Sequence, residues 1–126
     1  MACILIIDDE ADLRATMRAA LEQDGHEVFE AKNGMGGLAL LDKIPVELVI
    51  TDILMPEKDG LEIIVALHHD HPDIRIIAIS GGGNDGGTRF LSIAEKFGAS
   101  RILAKPFRRQ QLQDTVRAAL DTAIGD

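Results

Sequence analysis

Six polar side chains stand where short apolar runs of the sequence end. In chain order these residues are Asp8, Asp9, Glu10, Asp52, Ser80 and Lys105. Carboxylates that crowd together repel one another, so they hold protons or require a cation. Mg²⁺ satisfies such a group because it prefers oxygen ligands in octahedral array. The residue types therefore indicate an acidic Mg²⁺ pocket with a lysine and a hydroxyl beside it.

A carboxylate held beside a divalent cation can attack phosphorus and form an aspartyl-phosphate. Lys105 and the cation would neutralise charge on the transferred phosphoryl oxygens, and the Ser80 hydroxyl would donate to one of them. The glycines that follow Ser80 leave space for a phosphoryl group. The chemistry indicated is phosphoryl transfer to an aspartate.

Alternating strand and helix patterns place these residues at one edge of a sheet. The predicted strands are Cys3–Ile7, His26–Glu30, Glu47–Thr51, Ile74–Ile79 and Arg101–Ala104. The predicted helices are Ala11–Gln23, Met35–Asp42, Leu61–His69, Thr88–Phe97 and Arg108–Ala123. This (βα)₅ pattern predicts an α/β fold, a flavodoxin-like, doubly wound, parallel five-stranded sheet in the order 2-1-3-4-5. Ligands bind such sheets at the carboxyl ends of the strands.

Length and charge exclude several classes of protein. The five predicted units occupy the 126 residues, so we expect one domain over 1–126 and no output domain. The net charge of −8 argues against a nucleic-acid partner, since no basic face is visible. No apolar run approaches the roughly 20 residues of a membrane span, and the N-terminus does not resemble a signal peptide. We expect a cytoplasmic protein with no membrane partner, in which Cys3 is a buried thiol.

Four motifs resemble those of the response-regulator receiver domains of two-component signalling, in particular single-domain, chemotaxis-regulator-like members. They are the acidic pair Asp8-Asp9, the loop from Asp52 to Gly60 that matches D-x-x-M-P-x-x-[DN]-G, Ser80 in the place of a Ser/Thr switch residue, and Lys105-Pro106-Phe107. The resemblance covers the whole chain, and each motif lies at the expected strand end. A single acidic pair would be weak support for this resemblance, whereas four motifs in the expected order are strong support.

The resemblance implies a role for each residue. Asp52 would be the phosphoacceptor, and Asp9 and Asp52 would ligate Mg²⁺ with help from the Leu54 carbonyl. Asp8 would act mainly through water. Lys105 would pair with Asp52 or its phosphoryl group, Ser80 would move toward the phosphate, and Pro106 would follow a cis peptide bond. The donor would be a histidine kinase or a histidine phosphotransfer protein, as in the mostly bacterial family, and the target a downstream protein.

Three departures from the family pattern alter these expectations. Ile102 stands where the family usually has a switch aromatic, so the coupling to the output surface is changed or absent. The segment Gly81–Gly87 holds five glycines, which predicts a mobile loop. Leu54 and Gly82 cannot position an attacking water, which predicts slow dephosphorylation. Partner contacts are expected near Arg89, Glu95, Arg101 and Gln113.

Other interpretations of the same residues remain open. Asp8-Asp9 alone could cap a helix, and Ser80 could simply end a strand. The histidines His68, His69 and His71 are poorly spaced for a metal site. A Mg²⁺-dependent aspartyl-phosphate phosphatase of the haloacid-dehalogenase type needs a second aspartate at the position of Leu54, so we do not expect an enzyme. The third alternative is a pseudo-receiver that only binds partners.

Overall fold

The fold is a parallel five-stranded sheet with helices on both faces. It was obtained as a computed structural model, which describes residues 2–53, 60–81, 95–96 and 98–121. The strands are β1 (Cys3–Ile7), β2 (Glu27–Ala31), β3 (Leu48–Asp52), β4 (Arg75–Gly81) and β5 (Arg101–Lys105). Their order is β2-β1-β3-β4-β5, with every neighbouring pair parallel. The predicted flavodoxin-like order is therefore confirmed.

Four helices cover the sheet in the described part of the chain. They are α1 (Ala11–Gln23), α2 (Gly34–Leu41), α3 (Gly60–Asp70) and α4 (Arg109–Asp121). Of the predicted helix Thr88–Phe97, the structure describes Glu95 and Lys96 together, and both are helical. None of the helices described is long and apolar enough to cross a bilayer.

The core forms two layers because successive strand residues point to opposite faces. Leu5 and Ile7 of β1 pack with α2 and α3, whereas Ile4 and Ile6 pack with α1 and α4. All residues of β1 and β3 are buried, as expected for central parallel strands covered on both sides. Cys3 lies at the edge of this core, and burial raises the pKa of its thiol, so the expectation of a buried cysteine is confirmed.

The strands that carry the candidate residues extend further than predicted. β3 includes Asp52, which pairs with Ile79, and β5 includes Lys105, which pairs with Gly81. The apolar runs end at Ile50 and Ala104, but the ladder continues because backbone pairing does not depend on an apolar side chain. The functional side chains therefore lie on the last residues of rigid strands.

Other boundaries differ by one or two residues. β2, β3 and β4 each begin one residue later than predicted, and α4 begins at Arg109. α2 begins at Gly34, since the Asn33 side chain accepts a hydrogen bond from the Gly36 N–H at 2.8 Å and caps the helix. The predicted end of the last helix at Ala123 lies outside the described residues.

The opposite, amino-terminal edge of the sheet contains a partly buried histidine. The Ala2 N–H donates to Nδ1 of His26 at 3.1 Å, and this bond requires an unprotonated Nδ1. Burial lowers the pKa of His26 below its ordinary value of 6.5, although the charge of Asp24, 3.9 Å away, opposes the shift. The folded protein therefore favours the neutral imidazole.

Acid should weaken the fold through His26. Because the unfolded chain takes up a proton more readily than the folded one, the stability due to neutral His26 is present above about pH 6.5 and is lost as the pH falls below that value. The melting temperature of the wild type should fall more steeply between pH 7.5 and 5 than that of His26→Gln, whose amide oxygen can accept from Ala2. His69→Gln, at a largely exposed position, is the control and should follow the wild type. Equal slopes for all three proteins would contradict this role of His26.

Candidate functional site

The carboxyl-terminal edge of the sheet brings a lysine into contact with three acidic side chains. Nζ of Lys105 lies 2.7 Å from Oδ2 of Asp52 and 3.3 Å from Oδ2 of Asp8. It also lies 3.6 Å from Oε1 of Glu10. β1 and β3 are neighbours, and β5 is separated from β3 by β4 alone, so the three strand ends converge. Asp8, Asp52 and Lys105, predicted to share this edge, are thus brought together, and Lys105 contacts both carboxylates.

Asp8 is fixed by contacts of both its main chain and its side chain. Its N–H donates to the Ala31 carbonyl at 3.1 Å, and its carbonyl accepts from Nη1 of Arg14 at 2.6 Å. Oδ1 accepts from the Glu10 N–H at 2.8 Å, and Oδ2 accepts from Lys105. Because these contacts restrict both the backbone and the carboxylate, Asp8 holds the start of the acidic loop in place.

Burial sets the electrostatics of this group. Asp8 is fully buried and Asp52 is 4% exposed. Burial raises the pKa of Asp8, and the nearby charge of Asp52 raises it further, against the opposing effects of the Glu10 N–H and Lys105. Burial lowers the pKa of Lys105, but its hydrogen bonds and charge interactions with Asp52 and Asp8 outweigh this and leave the pKa above its ordinary value. Lys105 is therefore charged at neutral pH and compensates the buried carboxylates.

The acidic residues fit the hard cation that the sequence predicted. Asp8, Asp9 and Glu10 each offer a carboxylate oxygen, and these atoms lie within 4.8 Å of one another. Asp9 and Glu10 are exposed, whereas Asp8 is buried with a raised pKa. Grouped carboxylate oxygens are the ligands that Mg²⁺ prefers, and a bound ion would add its positive charge to that of Lys105. In the described part of the chain this is the one such cluster of His, Cys, Asp or Glu residues, and His68, His69 and His71 do not form another.

Several predicted features lie outside the described residues. They are Leu54 with its carbonyl, most of the loop Asp52–Gly60, Gly82 and nearly all of the segment Gly81–Gly87, and Arg89. The expectations of a mobile glycine loop and of slow dephosphorylation therefore stay predictions.

Ser80 lies on β4, between the strands that carry Asp52 and Lys105. It is fully buried, and its hydroxyl makes no hydrogen bond among the residues that the structure describes. Thr51, also buried, instead donates to the Asp52 carbonyl at 3.2 Å. A buried hydroxyl without a partner costs free energy, and a catalytic or binding role is one of the explanations for such a group in a native protein.

Removing the Ser80 hydroxyl should stabilise the protein. Ser80→Ala is expected to raise the free energy of unfolding by about 1 kcal/mol, because the desolvation cost of the hydroxyl disappears. Thr51→Val, which loses a hydrogen bond, should lower it. Urea unfolding of both variants in a chelator measures the difference. A loss of stability in Ser80→Ala would show that the unmodified protein already uses this hydroxyl.

From the sequence, Glu10 was placed at the acidic pocket without a named partner, and Arg14 was given no role. Glu10 contacts Lys105, and Arg14 binds the Asp8 carbonyl while its Nε lies 3.2 Å from Oε1 of Glu30. Glu10 and Arg14 are four residues apart at the start of a predicted helix. This spacing, which places both residues on one side of the helix, is the signal that the sequence offers for a shared location. Glu30 ends the predicted second strand, but the sequence alone does not show which basic group it meets.

The remaining predictions about the output surface have mixed outcomes. Gln113 was predicted to be a surface residue, and this was wrong: it is buried, and its Nε2 donates to the Ala20 carbonyl at 2.8 Å. Helical periodicity did not reveal this contact between α4 and α1. Glu95 and Arg101 are exposed. Ile102 is partly buried against the core layer that contains α2 and α3, and the bond between Lys105 and Pro106 is cis.

Comparisons with known proteins converge on one family. Residues 4–117 match the family described as the response regulator receiver domain. The chain is 36% identical over 122 residues to the sensor kinase CckA of Brucella abortus, a match that covers 95% of this chain but 13% of the kinase. It is 29% identical to sporulation initiation phosphotransferase F of Bacillus subtilis, covering 93% of this chain and 92% of that protein.

Solved structures agree with the sequence comparison. The receiver domain of NtrX from Brucella abortus superposes with a TM-score of 0.88 at 31% identity, covering 95% of this chain and 99% of that domain. This chain therefore spans nearly all of some relatives and a small part of others.

Proposed function

The chain belongs to the response regulator receiver family, and on that basis we propose that it is a signalling switch that accepts a phosphoryl group on Asp52. The observation that carries the proposal is the contact of Lys105 with both buried carboxylates, 2.7 Å from Asp52 and 3.3 Å from Asp8. A lysine so placed stabilises the negative charge that phosphorylation would add to Asp52.

In this reaction an Asp52 carboxylate oxygen attacks the phosphorus of the donor, and the bond from phosphorus to the donor's leaving group breaks. The leaving group keeps the electron pair. Lys105 then pairs with a phosphoryl oxygen in place of the Asp52 oxygen, and Ser80 donates its unused hydrogen bond to another. Burial of Asp52 excludes competing water from the nucleophile.

Asp8, Asp9, Asp52 and the Leu54 carbonyl would hold the Mg²⁺ that this chemistry needs. When bound, the ion would neutralise charge on the phosphoryl oxygens and on the carboxylates. Asp9 is exposed and able to ligate directly, whereas both Asp8 oxygens already accept hydrogen bonds, which favours a contact through water.

The donor proposed is a histidine kinase or a histidine phosphotransfer protein, and the product is a changed surface for a downstream protein. Two relatives are named as a sensor kinase and a sporulation initiation phosphotransferase. We propose no turnover of an external substrate, because Leu54 stands where an aspartyl phosphatase of the haloacid-dehalogenase type needs an acid.

Intact-mass analysis tests the proposal. After incubation with acetyl phosphate and Mg²⁺, the wild-type chain should gain one phosphoryl group, and a chelator should prevent this. Borohydride reduction followed by peptide mapping should locate the modification at Asp52. If the chain is never modified, even though it folds and is offered a phosphorylated kinase, the pseudo-receiver interpretation replaces this one.

A further inference from the structure

Arg14 of α1 links the acidic loop to the edge strand β2. Its Nη1 donates to the Asp8 carbonyl at 2.6 Å, and its Nε donates to the Glu30 carboxylate at 3.2 Å. The Arg14 N–H also donates to the Glu10 carbonyl at 3.0 Å in the first turn of α1. The Arg14 side chain thus binds the carbonyl of Asp8, before Asp9, and its main chain binds the carbonyl of Glu10, after Asp9.

The charge of Arg14 is already balanced. Glu30 pairs with Arg14 through Oε1 and with Arg18 through Oε2, and Arg18 also pairs with Glu22, so two carboxylates face the two guanidiniums. The Arg14 side chain is only 16% exposed, and its contact at the site is a neutral carbonyl oxygen rather than a carboxylate. The planar guanidinium presents its donors in a fixed fork, so it can fix the distance between two acceptors. These contacts favour a geometric role over an electrostatic one.

The loop needs such a support. The Asp8 side chain is engaged by the Glu10 N–H and by Lys105, while Asp9 is exposed. The helix cap at Glu10 makes no side-chain hydrogen bond of its own. The direction of the Asp9 carboxylate therefore depends on the backbone between Asp8 and Glu10, and Arg14 holds the carbonyl that precedes Asp9.

We propose that Arg14, held in place by Glu30, is a positioning residue for the Mg²⁺ ligands of the acidic loop. The inference rests on the proposed function, since it concerns the same ion. Groups that orient metal ligands from outside commonly change metal affinity by about 10–100-fold when they are removed. Arg14 should therefore act on the affinity for Mg²⁺ more than on the rate of transfer once the ion is bound.

The test compares Arg14→Met with Arg18→Met. Both variants remove a positive charge and an ion pair with Glu30, but Arg18 does not contact Asp8 among its described hydrogen bonds. Isothermal titration of each unphosphorylated chain with MgCl₂ should show an affinity about tenfold weaker for Arg14→Met and within about twofold of the wild type for Arg18→Met. With acetyl phosphate, the half-saturating Mg²⁺ concentration should rise by the same factor, while the rate at saturating Mg²⁺ stays within about threefold.

An electrostatic role and a geometric role of Arg14 predict opposite changes in Mg²⁺ affinity when the side chain is removed. If Arg14 acted through its charge, its removal beside a cation site would tighten Mg²⁺ binding. Equal affinity for the two methionine variants, or tighter binding by Arg14→Met, would therefore overturn the inference. Arg14→Lys keeps the charge without the fork, so it should bind Mg²⁺ more weakly than the wild type, and full affinity in this variant would also overturn it. Arg14→Lys also serves as the test variant if Arg14→Met does not fold. A wild type that neither binds Mg²⁺ nor accepts phosphate would instead contradict the proposed function.

Discussion

Replacing Lys105 by methionine should lower the free energy of unfolding by about 3 kcal/mol in a chelator, or about 10 °C in melting temperature. Its ammonium is the cation that lies between Asp8 and Asp52. Without it, two buried carboxylates face each other in an environment of low polarity, and removal of one partner from a buried ion pair leaves such charges uncompensated. The pKa of Lys105 is raised, so its contribution is fully present below its ordinary value of 10.5 and is lost only as the pH rises through the higher folded value.

Mg²⁺ should restore much of this loss. A ligand that binds only the folded state stabilises it by about 2.7 kcal/mol at a hundred times its Kd. Because Lys105→Met leaves a more negative site, the shift in melting temperature on adding Mg²⁺ should be larger in the variant than in the wild type. Thermal unfolding with and without MgCl₂ measures both effects. Lys43→Met, at an exposed position, is the control. It should change neither the stability in a chelator nor the shift in melting temperature that Mg²⁺ produces.

A second substitution separates charge from packing. Asp8→Asn keeps an oxygen that can accept from the Glu10 N–H but removes the buried charge. The double variant with Lys105→Met should therefore be more stable than Lys105→Met alone, with a non-additivity of about 1–2 kcal/mol. Additive losses would mean that the methionine acts by disturbing packing rather than by exposing an unbalanced pair of carboxylates.

The fold was predictable because its signals are local and repeated. Runs such as Cys3–Ile7 and Leu48–Ile50 are buried on both faces, so they contain no polar alternation, and amphipathic stretches follow them. The convergence of Asp8, Asp52 and Lys105 then follows from strand order, since Asp8 directly follows β1 and the other two residues end β3 and β5. The sequence therefore placed these side chains at the right edge of the sheet, although β3 and β5 extend one residue further than predicted.

What the sequence could not provide are contacts between elements that are far apart in the chain. Gln113 is a polar residue that flanks the apolar side of its helix, and the sequence does not show that its side chain donates to the Ala20 carbonyl, 93 residues away. His26 and Ala2 form a similar long-range pair. The hydrogen bond from Arg14 to the Asp8 carbonyl depends on the side-chain conformation of Arg14 and on its contact with Glu30 of β2. Spacing predicts which face a residue occupies, but not which partner its polar atoms reach.

Asp52→Asn should abolish phosphoryl incorporation from acetyl phosphate, leaving it below detection by intact mass, because an amide is not a nucleophile toward phosphorus at neutral pH. The matched control is Asp12→Asn, an exposed carboxylate in the first turn of α1, which should incorporate one phosphoryl group as the wild type does. Circular dichroism and Mg²⁺ titration of the Asn variant establish that it folds and whether the remaining acidic residues still bind the ion.

The pattern of residual labelling decides which carboxylate reacts. Asp9 and Glu10 are exposed near the same site, so either could in principle accept phosphate when Asp52 is blocked. Neither has the 2.7 Å contact to Lys105 that Asp52 has. Both are also hydrated, and bound water hinders their attack on the phosphoryl donor. Labelling of Asp52→Asn at the wild-type rate, mapped to Asp9 or Glu10, would move the acceptor to the loop and leave Asp52 as a Mg²⁺ ligand alone. Absence of labelling, together with weakened Mg²⁺ binding, would assign Asp52 as both the nucleophile and a ligand of the ion, whereas undiminished Mg²⁺ binding would remove Asp52 from the ligand set.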